Sequence, residues 1–249
     1  MGTTCSLFAV DADLSAGERW VRCMGERLTR FSTDSELSRL NAHAGDWFPV
    51  SAELESVLLA ALEAYRMSSG LVNAAVLPSM VAIGYSRSLE EGHSVATLEG
   101  ARPLPPLPEV LEVRPGRARV RGGSGIDLGG IAKGWMADRL SEILGPSCVV
   151  NLGGDLRARG RWPIGVGEAT LMLRDQGAAT SSTLKRRWGD VHHLIDPRTG
   201  LPARSGPDTA SVVAATAFEA EVVAKTALLL GPALAPAYCA SHAMAWWLE

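Results

Sequence analysis

The sequence lacks the features that would place it outside ordinary folded proteins. Its four cysteines, Cys5, Cys23, Cys148 and Cys239, lie far apart with no CxxC pair. This excludes a zinc-finger spacing and a dense disulfide framework, and the four read as small buried hydrophobes. Cations are not in excess either: 24 Lys and Arg stand against 27 Asp and Glu, a formal net charge of -3. Scattered along the chain, they provide no electrostatic footprint for nucleic acid. No apolar run approaches the roughly 20 residues of a membrane span, and the opening MGTTCSLFAVDAD has no basic stretch leading into an apolar one. A cytoplasmic protein is expected for the chain as given, with an exported parent form left open. No repeat of 20 to 50 residues is present, which argues against a solenoid.

What is there is an average globular composition, 47% hydrophobic and 20% charged over 249 residues, enough to bury one sizeable core without staples. Thr4 to Val10 reads as a strand. Trp20, Val21, Met24 and Leu28 recur at helical spacing within Ser15 to Thr29. A further helix is expected from the N-cap Ser51 through Leu54, Val57, Leu58 and Leu62, stopping at Gly70. Between Glu90 and Pro108, ARPLPPLPEV reads as a proline-rich surface loop. EVLEV and RARVR flank Pro115-Gly116 as a hairpin. Trp135 to Leu144 reads as a helix ending at Gly145-Pro146, and Cys148 to Leu152 as a strand. Short strands follow between Arg157 and Ile195, then an almost wholly apolar, buried helix from Ala214 to Leu230, and a closing strand in HAMAWWL. Helices and short strands alternate without a βαβ rhythm, so the expectation is α+β: a single domain over 1–249 with helices packed on mixed, largely antiparallel sheets.

Chemistry concentrates in the run from Gly122 to Asp138, where six glycines surround Asp127 and Lys133 just before a helix. Glycines let backbone N–H groups approach phosphate oxygens, the helix N-terminus favours an anion, and Lys133 adds a full charge. Neither GxGxxG nor a Walker A ending is present. A glycine turn that merely packs a helix against a strand would look the same. His193, in VHHLIDPRTG, stands at a strand end before an Asp196-Pro197 turn. An unperturbed histidine, with a pKa of about 6.5, suits general base work, although a strand-edge histidine is the plainer alternative; His192 should face the other way. Glu221 and Lys225, four apart on the apolar helix, share one face. They are either an ion pair reaching solvent or the lining of a site. No GxSxG elbow is present, and Ser182 and His193 have no evident third partner for a hydrolytic triad.

MGT at Met1, FSTDSELSRLN at Phe31, DLGGIAKGWMAD at Asp127, VNLGGD at Val150, HLIDPRTG at His193 and AEVVAKTALLLG at Ala220 together resemble the FAD:protein FMN transferases, the ApbE family. Order and spacing agree over nearly the whole chain. The resemblance implies an α+β fold holding FAD, with its pyrophosphate gripped with Mg2+. It implies transfer of the FMN half of FAD to a threonine hydroxyl of an acceptor flavoprotein, with release of AMP. Some relatives instead hydrolyse FAD to FMN and AMP, and an FAD-binding relative without transfer is a third possibility. By position, Met1, Phe31, Leu71, Val72, Asn73, Asp127, Lys133, Asp138 and His193 correspond to FAD contacts, with His193 the base. Gly130, Glu221, Ala224 and Lys225 fall at metal positions. Two departures stand out. Glu221 and Lys225 replace an Asp and a Thr, and a charged ammonium has no lone pair to give a metal, so Lys225 is expected to stand where the metal's charge would be. In Gly70 to Val76 an amide, Asn73, replaces a carboxylate.

Overall fold

The computed structural model describes residues 3–88, 95, 98, 101–166, 169–188, 190–204 and 206–249. From the N-terminus its elements are strand β1 (Cys5–Ala9), helices α1 (Leu14–Leu28) and α2 (Glu36–Ala42), strand β2 (Phe48–Pro49), helices α3 (Ala52–Met67), α4 (Leu77–Ala82) and α5 (Leu107–Val110), and the hairpin strands β3 (Leu111–Arg114) and β4 (Arg117–Val120). There follow α6 (Ala132–Leu144), β5 (Cys148–Leu152), β6 (Asp155–Arg159), β7 (Arg161–Val166), β8 (Ala169–Arg174) and β9 (Gly177–Ser182). The short strands β10 (Arg187–Trp188), β11 (Val191–His192), β12 (Ile195–Asp196) and β13 (Leu201–Pro202) lead to β14 (Thr209–Ala214), α7 (Ala217–Leu230), α8 (Ala235–His242) and β15 (Ala245–Leu248). All strand pairings among the described residues are antiparallel, and the α+β class holds.

The residues form two compact units, one mainly of Glu26–Gly130 and Thr183–Arg204, the other of Thr3–Gly25, Ile131–Ser182 and Ser205–Glu249. The second is built on a six-stranded sheet ordered β1-β5-β6-β9-β14-β15. Side chains alternate between the faces of a strand, and the register sorts them here. Val149, Leu156, Ala158, Ala178 and Val213 pack with Val166 of β7 and Leu173 of β8 as one core cluster. The cross-strand row of Leu152, Asp155, Ala179 and Val212 belongs to the opposite set. Helices α6 and α7 pack on this sheet and on each other. Two glycines permit that closeness: a Cβ on Gly134 would lie 2.7 Å from the Ala217 carbonyl oxygen, and one on Gly177 2.2 Å from the Ala217 nitrogen. α7 starts at a capping box of Thr216 and Glu219, which satisfies N–H groups that the helix cannot. Ten of its 14 residues are buried and the other four half-buried, as its largely apolar sequence requires.

In the first unit, β2, β4 and β3 form a small sheet. Ser51 caps α3, its Oγ accepting from Leu54 N at 3.2 Å. The Glu36 carboxylate ties that corner to α2 by accepting from Ser51 N at 2.6 Å and Ser51 Oγ at 2.8 Å. A separate core gathers Met80, Ile83, Tyr85, Trp188, Val191 and Ile195.

Some sequence expectations need correction. Cys148 and Cys239 are buried, but Cys5 and Cys23 are exposed, because both lie on the outer sides of β1 and α1. Helices α2, α4 and α8 have 7, 6 and 8 residues, too short to show the periodicity by which helices are read. Helix α6 begins three residues before the expected Trp135. Of the loop read over 90–108, the positions 90–94, 96, 97, 99 and 100 lie outside the described residues, 101–106 carry no regular structure as expected, and its end forms α5.

Candidate functional site

The glycine-rich run is divided between the units: residues through Gly130 belong to the first and those from Ile131 to the second. Each part anchors its own cluster of candidate residues.

In the first unit, Asn41 fixes the strand-like entry to Asp127. Its Nδ2 donates to Ile126 O and its Oδ1 accepts from Ile126 N, each at 2.9 Å. Asp127 N donates to Ala74 O at 2.9 Å. The Asp127 carboxylate then accepts from Gly129 N at 2.6 Å through Oδ1 and pairs with Arg30 Nε through Oδ2. Arg30 is a buried cation, its side chain 6% exposed. Its guanidinium carbon lies 4.2 Å from the Phe31 ring centre and 4.7 Å from that of Tyr85, within cation–π range. Tyr85 packs in turn on Trp188 with centroids 5.3 Å apart. Burial pushes the Tyr85 phenol above its ordinary pKa. Phe31, 41% exposed, thus presents an aromatic surface backed by a cation and a second ring.

Asn73 lies after α3 as the cap of a 3-10 turn, Ala74–Val76. Its Oδ1 accepts from Ala75 N at 2.9 Å, and its Nδ2 donates to Pro105 O at 3.0 Å. The second bond needs an amide, since a carboxylate has no proton to donate. The departure from the family pattern therefore has a structural use. Val72 beside it is buried and Leu71 half-buried. His192 is a core residue, its Nε2 2.8 Å from Ala203 O and its Nδ1 accepting from Leu194 N at 3.2 Å. His193, next along, is half-buried just beyond β11. Asp196 caps its turn, accepting from Arg198 N at 2.9 Å. Met1 lies outside the described residues.

In the second unit, Lys133 on the first turn of α6 meets two carboxylates: it pairs with Asp155, the first residue of β6, and with Glu221 Oε1 at 3.0 Å. Both acids are almost fully buried, with side chains 3% and 2% exposed. Glu221 Oε2 accepts from Gly134 N at 2.9 Å, so the N-terminus of α6 holds a carboxylate of the protein itself at a place that favours an anion. Burial alone would raise the Glu221 pKa; the fields of Lys133 and then Lys225 outweigh it and hold the group below its ordinary value. Glu221 is therefore not an ion pair reaching solvent. Ala224 is buried and Lys225 half-buried on the same helix. Asp138 accepts from Ala217 N and Phe218 N, both at 2.9 Å, and caps α7. Burial raises its pKa despite those bonds. Gly130 is half-buried.

The magnesium that the resemblance implies can be tested on these donors. Glu221 has both oxygens committed, Asp155 is paired to Lys133, and Lys225 is an ammonium beside Glu221. Mg2+ demands an octahedron of oxygen ligands. Among the described residues no group of three or more His, Cys, Asp and Glu side chains is gathered for a metal. The side chains of this cluster do not fit the ion.

Arg30, Tyr85, Trp188 and Asp155 were not singled out in the sequence. Asp155 carried a signal in NLGGD, where two glycines precede a carboxylate; the others become visible only once the first unit is folded.

The chain matches the ApbE family over residues 1–247. It is 33% identical over 129 residues to an FAD:protein FMN transferase of Klebsiella pneumoniae, a match covering 44% of this chain and 39% of that protein. To the enzyme of the same name from Haemophilus influenzae it is 23% identical over 265 residues, covering 86% of this chain and 71% of the other. The matched part of the Klebsiella protein is thus about two-fifths of its length. Among solved structures, the apo form of the Pseudomonas stutzeri flavinyl transferase ApbE is similar with a TM-score of 0.80 and 22% identity, over 96% of this chain and 86% of that one. The Vibrio cholerae flavin transferase ApbE gives 0.79 and 22%, over 97% and 88%. These structural likenesses speak for the fold.

Proposed function

The chain belongs to the ApbE family, and from that premise we propose that it moves the FMN half of FAD onto a threonine hydroxyl of an acceptor flavoprotein and releases AMP. The observation that carries the reading is the half-buried Lys133 set between the buried carboxylates of Asp155 and Glu221, a fixed cation on the glycine-rich run where a phosphate-handling enzyme needs one. Phosphoryl transfer depends mainly on positioning and on neutralising charge at the phosphate.

In this mechanism the isoalloxazine ring stacks on the exposed face of Phe31, which Arg30 and Tyr85 back. Asp127, held by Arg30 and Gly129, accepts hydrogen bonds from the flavin. His193 takes the proton from the acceptor threonine. The threonine Oγ forms a bond to the phosphorus on the FMN side, the bridging P–O bond breaks, and AMP leaves with that oxygen. The product is a phosphoester of threonine and FMN. Magnesium has no step here, because the donor set does not fit it.

The test is to incubate the protein with FAD and a flavoprotein acceptor and to weigh the acceptor by mass spectrometry. Covalently attached FMN supports transfer. Free FMN and AMP without an acceptor would identify a hydrolase instead, and FAD binding with neither product a carrier.

A further inference from the structure

Arg30 and Asp127 form a pair that leaves one donor over. Nε and one terminal nitrogen of a guanidinium lie along a common edge, and a carboxylate commonly takes both in a fork of two parallel bonds. Here Asp127 Oδ2 faces Nε, whereas Oδ1, the oxygen that would complete the fork, accepts from Gly129 N at 2.6 Å. Arg30 Nη2 is left buried with no hydrogen-bond partner among the described residues, on a side chain only 6% exposed. A buried donor of a charged group without an acceptor is costly, and an acceptor that arrives with a ligand removes the cost.

The surroundings define that ligand. The rings of Phe31 and Tyr85 lie 4.2 and 4.7 Å from the guanidinium carbon, so the neighbourhood suits a flat aromatic group. The ion pair is neutral as a whole, and a phosphate brought to it would meet the charge of Asp127; an uncharged ring does not. An ionised carboxylate only accepts and a guanidinium only donates. The ring must therefore present a donor and an acceptor side by side. The pyrimidine end of an isoalloxazine does so, with the imide N3–H flanked by carbonyls.

We infer that Arg30 is a specificity-determining residue that, together with Asp127, reads the imide edge of the flavin. Arg30 Nη2 donates to a ring carbonyl while Asp127 accepts from N3–H. The inference rests on the flavin-transferase reading above and adds to it the residue that selects the ring. Lysine in its place would keep the charge beside Asp127 and lose the planar fork.

The experiment is a calorimetric titration of the whole protein with riboflavin, 3-methylriboflavin, FAD and AMP. Wild type should bind 3-methylriboflavin about tenfold or more weakly than riboflavin, the worth of a hydrogen bond to a charged group. Arg30→Lys should melt near the wild-type temperature and bind riboflavin and FAD about tenfold more weakly. AMP, which has no imide, should bind to both proteins within about twofold of the same affinity. If Arg30 served only to hold Asp127 in place, lysine would do the same, so unchanged flavin affinity in a folded Arg30→Lys would overturn the inference. Loss of AMP rather than riboflavin would overturn it too, since the pair would then be reading adenine. Should the variant not fold, the two riboflavins on wild type decide alone, and equal affinities would overturn the inference while the transferase reading stands. Absence of FAD binding by wild type would overturn both.

Discussion

Lys133 and Glu221 lie 88 positions apart in the chain, yet the Nζ of one is 3.0 Å from Oε1 of the other. The same carboxylate reaches back to Gly134 N at 2.9 Å. One buried acid therefore joins the start of α6 to the middle of α7, and it does so with Asp155 of the sheet as a third member. The link is electrostatic and structural at once.

Replacing Glu221 with Gln should lower the unfolding free energy by about 3 kcal/mol, the usual cost of breaking a buried ion pair from one side. Asp155 would remain as the partner of Lys133, and a glutamine oxygen could still accept from Gly134, so the loss isolates the charge. Urea denaturation measures it. A loss under about 0.5 kcal/mol, typical of a surface site, would mean the pair is solvated.

Acid should act through the same group. Because the folded pKa of Glu221 is depressed below its ordinary 4.5, it contributes stability that is present above that value and lost as pH falls through the folded pKa. The unfolding free energy should therefore decline below about pH 4.5, and Glu221→Gln should flatten that decline. Parallel pH profiles of the two proteins would show that the group titrates normally.

Much of this was legible in the sequence, and the reasons are physical. The apolar run of α7 could only be a buried helix, and Pro115-Gly116 between alternating strands could only be a tight turn. The glycines and lysine of the Asp127 segment raised the expectation of an anion site, and Lys133 is found between two carboxylates of the protein itself. What could not be read was which groups meet across the chain. Asp155 and Glu221 are separated from Lys133 by 22 and 88 residues, and no periodicity encodes that meeting. Arg30 follows a helix with nothing in the sequence to mark it as the buried partner of Asp127. The buried acids also changed the meaning of the helix start, since the place expected for a phosphate is already held in part by Glu221.

Asn73→Asp tests the use found for the amide. The aspartate could still accept from Ala75 N, but its second oxygen would face the Pro105 carbonyl that Asn73 now bonds at 3.0 Å. A loss of about 1–3 kcal/mol is expected for leaving that carbonyl unsatisfied. A melting temperature equal to wild type would show that the bond contributes nothing.

Gly177→Ala should destabilise the second unit, because its Cβ would fall 2.2 Å from the Ala217 nitrogen, a backbone atom that cannot swing aside. Overpacking of this kind costs about 1–3 kcal/mol. Gly165→Ala, where a Cβ would meet nothing within 4 Å, is the control, and equal melting temperatures for the two would refute the close approach.

Phe31→Ala separates binding from folding. At 41% exposure the ring should contribute little to stability, but loss of a stacking surface should weaken FAD by roughly 2- to 13-fold, the equivalent of about 0.5–1.5 kcal/mol. Quenching of flavin fluorescence reads the affinity. An unchanged value would remove Phe31 from the flavin site.

The central claim is that this chain transfers FMN with His193 as the base. The most direct measurement follows AMP release and acceptor-bound FMN together, with FAD and an acceptor flavoprotein, for wild type and His193→Ala. The account predicts equal amounts of AMP and covalent FMN from the wild type, and neither from a variant that still binds FAD. AMP without covalent FMN, or undiminished transfer by His193→Ala, would contradict it.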